Sequence, residues 1–183
     1  MSMNKFKQTG FTLLELMVLM AIVGIVVAVG VPSFKHMFVT NEIVSVTNDL
    51  AISFKLARSE AITQGQNTIV CSSSDGSTCS LAGGSWKDGW IVGIDYDGSG
   101  QIDEANEELL WVREEDVGYE ITINTLPVPK SKYEFRYDGW LDDNELGIDI
   151  CSGYGPTNGY PVREIRSARG GATTMKKDLT RKC

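Results

Sequence analysis

The chain has 183 residues, which is enough for one globular domain with an anchor and too few for two full domains. Its net charge of −7 is uneven: residues 88–149 contain seventeen acidic and four basic side chains, whereas residues 163–183 contain two acidic and seven basic ones. This asymmetry predicts different neighbours for the two regions, or two solvated surfaces that keep the domain soluble. The single histidine, His36, lies beside the apolar N-terminal segment, so no Ser-His-Asp or Cys-His constellation can be argued and a non-enzymatic protein is expected.

The first predicted element is an apolar run from Phe11 to Val31, preceded by a short polar leader, residues 1–10, that carries Lys5 and Lys7. The 21 residues of this run would span about 32 Å as a helix, which matches a hydrocarbon core of about 30 Å. Because basic residues stay on the cytoplasmic side, the sequence predicts a single transmembrane helix with the rest of the chain outside the cytoplasm.

Glu15 is the single charge in this run, and a carboxylate in hydrocarbon costs roughly 3 kcal/mol, so it requires a partner. An ordinary secretory signal has an A-x-A-like cleavage site after its apolar run, and none is present here. Instead, Gly10-Phe11 precedes the run. Cleavage after Gly10 would retain the helix and create an α-amino group on Phe11, with which Glu15 of a neighbouring subunit can pair. The alternative is a plain transmembrane anchor with an isolated glutamate.

The segment G-F-T-L-L-E-L, which contains Gly10, Phe11 and Glu15, resembles the class III signal of type IV prepilins and type II secretion pseudopilins. The resemblance implies cleavage after Gly10 by prepilin peptidase, N-methylation of Phe11, and packing of the helix against other major and minor pilins in a filament core. It also implies a subunit that is inserted in the bacterial inner membrane before assembly and then lies in a filament on the cell surface.

The helix is predicted to continue past Pro32, which should kink it, and to end near Gly65. Its second half, residues 32–65, has apolar residues at steps of three and four, which is typical of one buried helical face. These residues are Val39, Ile43, Val46, Leu50, Phe54, Ala57 and Ala61. Residues 57–61, A-R-S-E-A, resemble a segment of the GspH/FimT/FimU group of minor pilins and minor pseudopilins, although Arg58 and Glu60 also suit a solvated helix face.

Residues 66–183 are predicted to form a β-rich globular region outside the cytoplasm. Short apolar runs separated by Gly, Pro, Asp and Ser predict antiparallel strands. The predicted strands are Asn67–Cys71, Trp90–Asp95, Glu108–Val112, Tyr119–Asn124, Tyr133–Tyr137 and Gly147–Cys151. A long helix packed on an antiparallel β-sheet gives an α+β domain, and the resemblance implies the pilin fold.

The four cysteines predict two disulfides in an exported domain, and three pairings are possible. Closeness in the chain favours Cys71–Cys79 and Cys151–Cys183, of which the second would tie down the C-terminus. None of the cysteine spacings suits zinc.

One motif between two predicted strands resembles the first nine positions of an EF-hand loop, with possible calcium ligands at Asp95, Asp97, Ser99 and Asp103. The closing ligand is missing, because position 12 is Asn106 and Glu107 comes one residue later. An acidic turn between strands explains the same residues. Calcium is therefore a possible ligand, and no other cofactor is expected.

The basic C-terminal region contains Arg163, Arg166 and Arg169, which are candidates for contacts with nucleic acid phosphates. In the FimT branch of the group, a glycine-arginine motif in this region is associated with DNA binding. Residues 169–174, R-G-G-A-T-T, do not reproduce G-R-x-R, which favours the structural, FimU-like branch.

The prediction from the whole sequence is a minor pilin of a type IV pilus that joins the filament and helps to prime its assembly. The alternative is a type II secretion minor pseudopilin, and the second alternative is a DNA-binding competence pilin.

Overall fold

The structure is a computed structural model that describes residues 10–80, 84–103, 107–113, 117–118, 121–153 and 161–182. The chain forms two compact units, Met1–Phe38 and Val39–Cys183. Helix α1 (Leu13–Gln64) contributes residues to both units and continues through residue 32. The predicted helix, 11–65, is therefore confirmed to within two residues at each end.

Local signals mark both ends of α1. At its start, the Thr12 hydroxyl oxygen accepts a hydrogen bond from the amide of Glu15 at 3.3 Å, which is the geometry of an N-cap. At its end, Gly65 adopts a φ of 65° and its amide donates to the carbonyl of Ala61 at 3.0 Å. A left-handed glycine in this position is a common helix terminator.

In the unit Met1–Phe38, the side chains of residues 10–28 are exposed. Among the residues that the structure describes, no helical stretch combines the length and the hydropathy needed to cross a membrane.

In the unit Val39–Cys183, one face of α1 is buried in the main core. The apolar stripe expected from the sequence is confirmed, because all seven of its residues are at most 4% exposed. Phe54 lies at the centre of this face and contacts Tyr133 edge to face, with 5.7 Å between the ring centroids. The main core thus forms between the helix and strands of both sheets.

Two four-stranded antiparallel sheets complete this unit in the described part of the chain. The first sheet has the order β3-β2-β1-β5, with β1 (Asn67–Ser72), β2 (Trp90–Asp95), β3 (Glu108–Arg113) and β5 (Lys132–Phe135). The second has the order β4-β6-β7-β8, with β4 (Ile121–Leu126), β6 (Glu145–Ser152), β7 (Pro161–Ala168) and β8 (Thr173–Lys182).

This arrangement confirms the α+β class and corrects the prediction in two respects. The strands divide into two sheets rather than one, and the basic C-terminal region, predicted as a tail, forms the hairpin of β7 and β8. Strand β8 escaped prediction because it is an edge strand whose described side chains are mostly exposed, so it lacks the apolar alternation of a half-buried strand.

The predicted disulfide Cys71–Cys79 is present. Both cysteines belong to a second, smaller apolar cluster with Ile69, Ile91 and Ile102, on the face of β1 and β2 opposite to the main core. The other predicted pair, Cys151–Cys183, includes a residue outside the described part of the chain and stays a prediction.

Candidate functional site

The segment proposed for assembly begins at Gly10 and Phe11, both of which are exposed. Glu15 lies in the first turn of α1, where the helix dipole favours a negative charge. Within the described residues, no salt bridge of this chain involves Glu15. Its carboxylate is thus exposed close to the predicted new N-terminus. The sequence interpretation missed Thr12, which caps the start of the helix by accepting a hydrogen bond from the Glu15 amide. Processing and pairing at these residues stay predictions.

The second candidate is the acidic loop, residues 95–107, which connects β2 to β3. Carboxylate oxygens of Asp95, Asp97 and Glu107 lie within 4.8 Å of one another. The structure therefore brings together the first two predicted calcium ligands, and Ser99 lies beside both because its amide donates to Asp95 and Asp97. Asp103 is not among the three clustered carboxylates. Glu107 is the third carboxylate of the cluster, and its position just after the missing twelfth ligand is the signal that could have identified it.

Backbone amides hold the first carboxylates of this loop. Asp95 is only 2% exposed, and its two oxygens accept hydrogen bonds from the amides of Ser99 and Gly100 at 3.1 and 2.9 Å. Asp97 accepts a second bond from the Ser99 amide at 2.8 Å. The Ser99 hydroxyl also donates to the carbonyl of Gln101 at 3.4 Å.

Glu107 is the third residue of the cluster, and its two carboxylate oxygens have different environments. One carboxylate oxygen accepts a hydrogen bond from the Asp103 amide at 2.7 Å, whereas the other is buried and has no hydrogen-bond partner among the described residues. Burial, followed by the nearby negative charges of Asp95, Asp103 and Asp97, raises the pKa of Glu107. A hard cation would satisfy these oxygens, since calcium is bound by carboxylate and carbonyl oxygens.

The acidic loop rests on the disulfide. Ile102 is buried against Cys71 and Cys79, and the amide of Cys79 donates to the carbonyl of Ile102 at 3.1 Å. From the other side, the ammonium group of Lys132 donates to the carbonyl of Gly100. These contacts fix the backbone that carries the carboxylates.

The three arginines considered for nucleic acid do not form one surface. Arg163 and Arg166 lie three residues apart on β7, so their side chains leave opposite faces of the strand. Arg166 donates to the carbonyl of Ile148 at 3.0 Å and to the carboxylate of Asp149. Arg169 is exposed in the turn before β8.

Arg166 is part of a sheet ion-pair network that also contains Asp149, Glu164 and Arg181. Asp149 is 5% exposed and binds both arginines, and Arg181 also contacts Glu164 at 2.7 Å. The network neutralises Arg166 and Arg181, which belong to the basic region considered for nucleic acid. These residues meet because of the register of the paired strands, which sequence alone does not specify.

Arg58 of the A-R-S-E-A segment is more than a solvated residue. Its Nε donates to the carbonyl of Gly139 at 3.1 Å, in the turn between β5 and β6. The same carbonyl lies 2.4 Å from the point where a Cβ on Gly171 would be placed. Arg58 therefore ties this turn to the helix, and the lack of a side chain at Gly171 lets the β7–β8 hairpin approach the turn closely.

Comparisons with known proteins agree with this architecture. The family model described as type II transport protein GspH matches residues 46–171, and the prokaryotic N-terminal methylation motif matches residues 5–31. A comparison with curated protein sequences gave no match.

Solved structures show a similar fold. Two crystal forms of the type IV minor pilin FimU from Pseudomonas aeruginosa are 19% identical to this chain, with TM-scores of 0.56 and 0.52. They cover 75% and 72% of this chain, and the match covers 90% of each FimU chain. The minor pseudopilin EpsH from the type 2 secretion system of Vibrio cholerae is 12% identical, with a TM-score of 0.49 over 73% of this chain and 94% of its own. Because the GspH model covers more than half of the sequence, this chain belongs to the GspH family of minor pilins and pseudopilins.

Proposed function

We propose that this chain is a minor pilin of a type IV pilus with a structural, non-enzymatic role. It is made as a precursor with leader 1–10, inserted in the bacterial inner membrane through residues 11–31, and incorporated in a surface filament whose assembly it helps to prime. The observation that carries this proposal is the N-terminal methylation motif at residues 5–31 joined to a GspH-family domain in one chain. The FimU-like fold supports it.

Mass spectrometry of the protein from its native host tests the processing step. We expect cleavage after Gly10 by prepilin peptidase and a mature chain that begins with N-methylated Phe11. An intact leader, or cleavage beyond Val31, would contradict the assignment to prepilins. A Gly10→Val variant is expected to keep the leader and to stay in the membrane.

Glu15 is proposed to pair with the α-amino group of Phe11 on a neighbouring subunit. Glu15→Ala should leave membrane insertion intact, because the apolar helix is unchanged, and should lower the amount of the chain in sheared filaments. Glu15→Asp retains the charge and serves as the matched control. Wild-type amounts of Glu15→Ala in filaments would remove the pairing from the proposal.

A type II secretion minor pseudopilin is the alternative, since the same helix and fold suit a shorter periplasmic filament. Deletion of the gene separates the two: loss of surface pili with normal protein secretion supports the pilin, and the reverse supports the pseudopilin. The competence alternative is disfavoured because Arg166 is engaged with Asp149 and Ile148, and because the three candidate arginines do not form one exposed surface.

Calcium binding by the acidic loop is a second proposed function. It is supported by the convergence of Asp95, Asp97 and Glu107, and by the buried oxygen of Glu107 without a hydrogen-bond partner among the described residues. Isothermal titration calorimetry of the chain with calcium should show one site, with a Kd in the range of about 10⁻⁴–10⁻³ M that is typical of extracellular modules. Glu107→Gln should abolish the heat, and Glu108→Gln should retain it. Equal binding by both variants would exclude this site.

A further inference from the structure

An exposed stripe on α1 lies outside every site considered so far. Ile52, Lys55, Ser59 and Ile62 follow one another at helical steps of three and four, so they share one face of the helix. Ile52 and Ile62 are 56% and 54% exposed, which is high for isoleucines of a folded domain. The stripe thus presents apolar side chains on either side of a lysine.

Strand β8 also presents exposed side chains on the sheet face that is directed towards the helix. Met175 pairs with Ile165 and Lys177 pairs with Arg163 in the register of β7 and β8. Directly paired residues point to the same face of a sheet, and Ile165 belongs to the main core, so Met175 faces the helix layer. Met175 is nevertheless 45% exposed, because β8 is the last strand of its sheet and the helix does not cover it.

A groove of about 410 Å³ lies between the helix and the start of β8. Its lining residues are Lys55, Arg58, Ser59, Ile62, Gly171, Ala172 and Thr173. They include two cations and no carboxylate, in a chain whose net charge is −7. The groove is therefore a local basic site on an acidic protein, which selects the sign of its partner.

We propose that this groove binds an extended, acidic segment of a different pilin subunit in the filament, laid along the open edge of β8. An extended segment can pair with an edge strand through main-chain hydrogen bonds, while its acidic side chains meet Lys55 and Lys177 and its apolar ones cover Met175 and Ile62. Lysines on an edge strand discourage pairing between identical copies, which favours a partner with other chemistry. This inference rests on the proposed role as a filament subunit.

A photo-crosslinking amino acid placed at Ser59 of the full-length chain in its native host tests the proposal. Thr122, which is exposed on β4 of the same sheet, is the control position. We expect an adduct at Ser59 several-fold more abundant than at Thr122, and peptide mapping should place it in an Asp- and Glu-rich segment of another pilin. Lys55→Glu combined with Lys177→Glu should lower the yield several-fold, and Lys55→Arg should preserve it.

Equal yields at Ser59 and Thr122, an adduct to a second copy of this chain, or a yield unaffected by charge reversal would each overturn the inference. Recovery of the chain in sheared filaments is measured in the same samples. Filaments that contain the chain but give no adduct at Ser59 contradict the groove alone, whereas absence of the wild-type chain from filaments contradicts the proposed function and this inference together.

Discussion

The acidic loop and the sheet ion-pair network both contain nearly buried carboxylates, and they differ in how the charge is compensated. Asp149 of the network is 5% exposed and is bound by Arg166 and Arg181. Asp95 of the acidic loop is 2% exposed and lies beside two other carboxylates, with backbone amides as its described partners. The network is therefore electrostatically complete within the chain, whereas the loop gathers like charges.

The difference follows from the local backbone. In the second sheet, antiparallel register places Asp149 opposite Glu164 and brings cations from β7 and β8 to both. In the acidic loop, the carboxylates of Asp95, Asp97 and Glu107 come within 4.8 Å of one another, and none of the seven salt bridges among the described residues includes them. The charges of the sheet network thus neutralise each other within the chain. The carboxylates of the acidic loop would be balanced by a bound cation, which is consistent with the calcium proposal.

The largest expected effect concerns the turns beside these two regions. Gly171, before β8, and Gly98, in the acidic loop, have φ values of 76° and 72°. A Cβ on Gly171 would lie 2.4 Å from the carbonyl oxygen of Gly139, whereas one on Gly98 would meet no described atom within 4 Å. We expect Gly98→Ala to cost about 1 kcal/mol through backbone strain alone, and Gly171→Ala to cost more than about 2 kcal/mol because the clash is added.

Urea denaturation of the two variants measures this difference. Equal losses would mean that the turn at Gly139 moves away from a Cβ on residue 171 without cost.

The second prediction breaks the ion-pair network. Asp149→Ala removes the shared partner of two arginines, of which Arg166 is the better shielded, and should lower the free energy of unfolding by about 2 kcal/mol. Asp138→Asn is the control, since it removes the exposed ion pair of Asp138 with Arg136 at 3.3 Å but keeps an acceptor for the Trp140 amide, and it should matter by less than about 0.5 kcal/mol. Thermal and chemical unfolding of both variants would show the contrast, and similar losses would remove the distinction between the two pairs.

Sequence periodicity predicted the helix and its buried face because a stripe at steps of three and four residues depends only on local geometry. The disulfide Cys71–Cys79 was predictable for a similar reason, since a short separation leaves few alternatives. Strand β8 was missed because an exposed edge strand needs no apolar alternation, so its sequence reads as a charged tail. Strand β7 is an inner strand whose buried Val162, Ile165 and Ser167 are separated by charged residues, which masked its alternation.

The candidate sites were predicted only in part. Asp95 and Asp97 follow from the spacing of the loop motif, but the proximity of Glu107 depends on tertiary structure that the spacing does not specify. The pairing of Arg166 with Asp149 depends on strand register, which is set by tertiary packing rather than by either residue's neighbours.

The smallest expected effect is a dependence on pH that has opposite signs at two carboxylates. Burial and neighbouring carboxylates raise the pKa of Glu107 in the folded chain, so the unfolded chain releases this proton first as pH rises. In calcium-free buffer, the wild type should thus lose stability relative to Glu107→Gln from pH about 4.3 upwards, and the two should converge below that pH.

Asp75 provides the opposite sign: hydrogen bonds from the amides of Thr78 and Ser77 hold its pKa well below its usual range. The stability that Asp75 contributes is present above the ordinary aspartate pKa and is lost as pH falls, so Asp75→Asn should be most harmful at neutral pH. Melting temperatures of the three proteins between acidic and neutral pH measure both trends. A Glu107→Gln variant that is less stable than wild type at neutral pH without calcium would contradict an unfavourable ionisation of Glu107 in the folded chain.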